Sequence, residues 1–193
     1  MGRSRKQMSD FEKRLELLGA AWETNPHGKL TWVELGGSEV GDAELGFLEG
    51  QLDLEELGLG SERLTDSGLA YLEALPKLKV LRIEVAPISD AGLVYLKALT
   101  NLVSLSLCET CVTDSGLKHL KGLKQLQTLQ LCRTKVADKG LAHLVSLSEL
   151  KHLFLDETQV SDAGLKHLGR LTSANASRRR FNRRYATRSD SWD

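Results

Sequence analysis

Residues 102–125 read LVSLSLCETCVTDSGLKHLKGLKQ, and the rest of the chain repeats this stretch. Shifting the sequence against itself by 24 places brings Asp42, Asp66, Asp90, Asp114, Asp138 and Asp162 into one column. Gly68, Gly92, Gly116, Gly140 and Gly164 follow two places after the last five of them. Self-similarity at a fixed period of this length is the mark of a solenoid. Six units result, beginning at residues 30, 54, 78, 102, 126 and 150.

Within the quoted unit, Leu102, Leu105, Leu107, Val112, Leu117, Leu120 and Leu123 are the interior candidates. The equivalent positions of the other units carry Leu, Ile or Val throughout, with the single exception of Gln51. The apolar spacing changes inside each unit. Leu105 and Leu107 alternate, as a strand requires, whereas Leu117, Leu120 and Leu123 recur at threes, as a helix face requires. Strands are therefore expected at 32–35, 56–59, 80–83, 104–107, 128–131 and 152–155, paired in parallel, with a helix after each. Helices about 10 Å wide cannot stack at the ~4.8 Å strand spacing, so the array is expected to curve with the strands inside. Each Asp is expected at a helix start, offering negative charge and an oxygen acceptor to free N–H groups. Whether Asp114 or Thr113 is the cap proper is left open by the sequence.

Leu102, Leu105, Leu107 and Thr110 fall on the L-x-x-L-x-L-x-x-N pattern, and this stretch resembles a leucine-rich repeat. The recurring V-[ST]-D-x-G-L is similar to the cysteine-containing, F-box-type subclass and to short bacterial repeat proteins. Thr110, Thr134 and Thr158 stand where that family usually has Asn, as do Ser38, Glu62 and Ala86 in earlier units. The resemblance implies a right-handed α/β leucine-rich-repeat solenoid, with strands on the concave face and helices on the convex face. It also implies substrate-receptor or effector roles, although no separate adaptor-binding domain is evident.

Three segments follow. Residues 1–29 form a basic lead and a capping helix with Phe11, Leu15, Leu18 and Trp22 on one face, ended by Asn25-Pro26-His27-Gly28. Its apolar stripe covers the first unit, as a terminal repeat requires. Residues 30–172 are the repeat domain. Residues 173–193 lack the leucines of a further strand and read as a disordered, Arg-rich tail. The last strand edge is then covered by the folded-back tail, by a partner or by further repeats, or it supports self-association.

Charge is polarised along the chain. Residues 30–77 hold 2 basic and 11 acidic residues, while 172–193 hold 6 Arg and 2 Asp, although the net charge is zero. Such a field orients encounters and says nothing about fold. Three cysteines cannot complete an even disulfide framework. Without an apolar leader or a stretch of ~20 apolar residues, a reduced, soluble, cytoplasmic protein with no membrane contact is expected.

No phosphate-binding loop, nucleophile elbow or H-E-x-x-H occurs, so no catalytic residue, metal or cofactor is assigned. His119, His143 and His167 continue the column of Phe47, Tyr71 and Tyr95, and read as half-buried rings rather than ligands. Strand alternation instead turns Trp32, Glu34, Glu56, Val80, Arg82, Glu84, Ser104, Ser106, Cys108, Thr128, Gln130, Cys132, His152, Phe154 and Asp156 onto the concave wall. The expected function is a non-enzymatic scaffold that binds another protein there. Trp32, Arg82 and Phe154 are the anchors, because aromatics and Arg dominate interface energetics. Glu34, Glu56 and Glu84 shape the field, and Gln130, His152 and Asp156 complete the contact set. Two alternatives stand beside it. Arg178, Arg179, Arg180, Arg183 and Arg184, interleaved with Phe181 and Tyr185, suit nucleic-acid phosphates and bases. Cys108, Cys111 and Cys132, with Asp156 or His152, suit a thiol or soft-metal site.

Overall fold

A computed structural model of the chain describes residues 10–36, 40–169 and 180–182. Eight strands form one sheet in sequence order: β1 (Ala21–Thr24), β2 (Leu30–Gly36), β3 (Glu56–Gly60), β4 (Val80–Ile83), β5 (Ser104–Ser106), β6 (Thr128–Gln130), β7 (His152–Phe154) and β8 (Arg180–Asn182). From β2 onward every pairing is parallel, and each step from β2 to β7 advances the register by one repeat. Leu57, Leu81, Leu105, Leu129 and Leu153 are direct neighbours across the strands. The chain is a leucine-rich-repeat solenoid.

The aliphatic positions of the repeat form one continuous core between the sheet and the helical row. Among the described residues all of them are buried except Leu165, which is half-buried in the last unit; Leu171 lies outside the described residues. Each fully buried Leu contributes roughly 1.5–3 kcal/mol. No unit can hide its own leucines alone, so stacking is what removes them from water.

The convex segments differ from the expected helices. Five of them are 3-10 helices: Asp42–Leu48, Asp66–Ala74, Gly92–Ala98, Leu117–Gly122 and Gly140–Ser146. Among the described residues, the last unit alone has an α-helical turn, Asp162–Leu165, followed by a 3-10 turn, Lys166–Leu168. The leucine spacing explains the difference. In a 3-10 helix, residues three apart eclipse, whereas an α-helix would rotate each successive leucine by about 60° off the core. Leu117, Leu120 and Leu123 are all fully buried as a result.

The N-terminal cap also departs from expectation. Helix α1 (Asp10–Leu17) ends well before Trp22, and Gly19 just beyond it has a φ of 66°, in the left-handed region. The chain then enters β1, which pairs antiparallel with β2 and sets Trp22 opposite Val33. Asn25 to Lys29 make the hairpin turn: the Asn25 side-chain oxygen accepts from the His27 and Lys29 N–H groups. A sheet edge needs hydrogen-bond partners, and a helix face cannot supply them, so a strand covers β2. Leu15 still reaches the core, with Phe11, Leu18 and Trp22 packed partly against it.

At the other end, the sequence pattern places no strand after Leu171, yet β8 pairs in parallel with β7, Arg180 opposite His152. Backbone pairing needs no leucine, and β7 carries an otherwise open edge. The remainder of the 173–193 segment lies outside the described residues.

The aspartate column joins units rather than capping its own helix. Asp90 Oδ1 accepts the Thr113 N–H at 2.8 Å, and its Oδ2 accepts the Thr113 hydroxyl at 2.6 Å. Asp42 does the same to Thr65, Asp66 to Ser89 and Asp138 to Ser161. Asp114 meets Ala137 and so accepts only an N–H, at 2.7 Å. The receiving hydroxyl is itself the helix cap in unit 2, where Thr65 accepts from the Ser67 N–H, and in unit 6, where Ser161 accepts from the Ala163 N–H. The glycine column follows from this bracket. A Cβ at Gly116 would press against Asp90 Oδ1, and one at Gly140 against Asp114 Oδ1.

Candidate functional site

Strand alternation decides which side chains face the concave wall. In β4, Leu81 and Ile83 are buried and Val80 and Arg82 half-buried; β6 and β7 repeat the pattern. Two rows cross the sheet in register. One runs Trp32, Glu56, Val80, Ser104, Thr128 and His152, and the other Glu34, Gly58, Arg82, Ser106, Gln130 and Phe154. All nine residues expected to bind a partner lie on this wall or at its rim, and each is half-buried.

Glu34, Glu56 and Arg82 come together across three strands. The Arg82 guanidinium lies 3.6 Å from Glu34 and 3.9 Å from Glu56. Gly58 makes this possible, because the Glu34 carboxylate occupies the space that a side chain at 58 would fill. The sequence signal for it was a glycine standing alone in a row of larger residues. These groups are substantially exposed, so their pairing fixes geometry more than it adds stability.

Beside them opens a cleft of about 550 Å³, lined by Glu34, Gly60, Glu62, Arg82, Glu84 and Val85 among others. Its rim carries Val85, exposed and at φ 52°, the first of four left-handed non-glycine residues among those described, continued by Glu109, Arg133 and Glu157. A β-branched residue there is unusual. Glu84 is held by the Ser106 hydroxyl, which donates to its Oε1 at 2.6 Å. Ser106 itself, expected on the open wall, is only 1% exposed, because this bond folds the Glu84 carboxylate onto it.

Arg133 binds Glu109 and Glu157, each at 3.0 Å. These interactions hold its guanidinium pKa above the usual value, with Glu157 the larger influence. The only trace of this trio in the sequence is that its charges alternate at the repeat period. The repeated Thr residues turn inward: Thr110, Thr134 and Thr158 donate to the carbonyls of Leu107, Leu131 and Leu155, each at 2.7 Å.

Of the cysteines, Cys108 and Cys132 share a row and are half-buried, while Cys111 is exposed in the following loop. The Cys132 thiol donates to Asp156 Oδ2 at 3.6 Å. Burial, reinforced by Cys108, pushes the Cys132 thiol up to about 12. Among the described residues, no three His, Cys, Asp or Glu side chains gather as metal ligands would. His119 and His143 are half-buried as expected, but His167 is exposed on the final unit, where no helix packs beyond it among the described residues. Burial, then Lys97 and Lys118, lower the His119 pKa. Arg178, Arg179, Arg183 and Arg184 lie outside the described residues, and Arg180 is placed only as part of β8.

No protein-family model and no curated protein sequence matches the chain. Among solved structures, an internalin C2 from Listeria monocytogenes is similar over 74% of this chain and 77% of its own, with 19% identity and a TM-score of 0.48. A second internalin from the same organism is similar over 72% of this chain and 49% of its own, with 22% identity and a TM-score of 0.47.

Proposed function

We propose that the chain is a non-enzymatic scaffold that docks a protein partner on its concave wall. The observation supporting this reading is the in-register wall itself. The first, third and sixth units present Trp32, Arg82 and Phe154 on one continuous sheet, with Glu34, Glu56 and Glu84 held by neighbours rather than left to swing. Preorganised side chains lose less entropy on binding, which raises affinity for a given contact area. Aromatic and Arg anchors supply most of the binding energy at such surfaces. Gln130, His152 and Asp156 extend the surface toward the last unit. In this reading the protein works in the cytoplasm, with its thiols reduced.

The test is affinity capture with wild type and with the Phe154→Ala/Arg82→Glu variant, after circular dichroism has shown equal folding. A partner retained by wild type and lost by the variant supports the reading. Equal retention by both removes the concave wall from the interaction. Capture by a variant lacking residues 173–193 separates the wall from the Arg-rich segment. A nucleic acid lost on that deletion would favour the alternative reading, in which those arginines bind phosphate.

A further inference from the structure

We propose that Cys108 and Cys132 form a peroxide-sensitive dithiol that closes into a disulfide between the fourth and fifth units. The backbone brings them together. The Leu107 N–H donates to the Gln130 carbonyl, and two residues on the Glu109 N–H donates to the Cys132 carbonyl, both at 2.9 Å. The parallel ladder therefore continues past the ends of β5 and β6 and carries Cys108 opposite Cys132. Neighbouring strands lie about 4.8 Å apart, inside the window of about 4.4–6.8 Å that a disulfide spans between Cα atoms. The two thiols already sense each other, Cys108 helping to raise the Cys132 pKa. Both are half-buried on the open wall, within reach of a small oxidant and of a reducing thiol. Cys111 stands apart: it lies in the loop beyond the strand, its N–H donating to the Ile88 carbonyl of the preceding unit.

The chemistry balances with hydrogen peroxide as oxidant. The Cys108 thiolate attacks one peroxide oxygen, the O–O bond breaks, and sulfenic acid and hydroxide form. The Cys132 sulfur then attacks the Cys108 sulfur and displaces the sulfenic oxygen as hydroxide. The two thiol protons complete two waters, and the two electrons lost by the sulfurs reduce the peroxide. Asp156, which already accepts the Cys132 S–H, is placed to receive that proton and pass it to the departing hydroxide. Cys132 suits the resolving role, since burial keeps its thiol protonated until a sulfenic acid forms beside it. The bond would tie adjacent units across the docking wall and free Asp156 from its thiol. This inference does not depend on the docking reading, and its test detects the bond itself.

Full-length protein and its Cys111→Ser variant are treated with hydrogen peroxide, blocked with N-ethylmaleimide, digested without reduction and analysed by mass spectrometry. The expected product in both is one dithiothreitol-reversible link between the Cys108 and Cys132 peptides within a single chain. Cys132→Ser should abolish the link and leave Cys108 trapped by dimedone as sulfenic acid. The proposal is overturned if both cysteines remain maleimide-labelled while Cys111 alone oxidises. It is equally overturned if the link involves Cys111 or joins two chains.

Discussion

Replacing Asp90 by Ala removes both halves of one inter-unit bracket: an N–H bond at 2.8 Å and an O–H bond at 2.6 Å, both to Thr113. Hydrogen bonds to a charged acceptor contribute about 1.5–3 kcal/mol each when shielded. Here the site is only part-buried, so we expect about 2–3 kcal/mol for the pair. For a chain of this length, that lowers Tm by roughly 4–12 °C. The molecule supplies its own control. Asp114 makes the same backbone bond, but Ala137 offers no hydroxyl, so Asp114→Ala should cost about half as much. Restoring the missing group with Ala137→Ser should stabilise by about 0.5–1 kcal/mol. Urea unfolding of the three variants beside wild type, followed by circular dichroism, reads these differences directly. Equal losses for Asp90→Ala and Asp114→Ala would refute the two-bond reasoning. So would a loss at Asp90 below about 0.5 kcal/mol.

Three further outcomes are expected. Leu105→Ala, at a fully buried site in the middle of the array, should cost about 2–5 kcal/mol in the same unfolding assay. The Asp138 carboxyl is held below its usual 3.8 by the Ser161 hydroxyl and N–H, so its contribution is complete above that value and lost as pH falls through the lower folded value. Asp138→Asn should therefore flatten the acid limb of stability against pH in that window, while a limb of unchanged slope would contradict the assignment. Cys132, with its thiol raised to about 12, should react with iodoacetamide at pH 8 more than ~100-fold slower than an ordinary thiol, whose pKa is about 8.5. Residue-resolved mass spectrometry of partly alkylated protein measures this.

The repeat, its strand register and its core were legible because burial of aliphatic side chains leaves a periodic trace. Leu105, Leu129 and Leu153 line up as neighbours, as their spacing implies. The helix type was also written there, since spacing by three is the 3-10 period, but a helix face tolerates it loosely enough to suggest α. The ends were harder. Trp22 fits a helical stripe by spacing, yet the open edge of β2 draws it into a strand, and β8 forms without any hydrophobic signature. The aspartate column was plainly structural, but its partner 23 residues on belongs to the next unit, and local propensity carries no information about that distance. At the wall, alternation identified the facing residues. It did not reveal that Ser106 is covered by Glu84, or that the gap at Gly58 admits the Glu34 carboxylate. Those arrangements depend on how side chains settle across strands.

The constant offset of the Asp brackets makes the units modular. Excising residues 78–101 would bring Asp66 against Thr113 in place of Ser89, and set Gly116 over Asp66 where Gly92 now lies. Every junction would then be chemically familiar, and only the length of the wall and the side chains it displays would change. A gene that gains or loses 72 nucleotides in frame (three per residue of a 24-residue unit) thus resizes the surface without having to reinvent the joint.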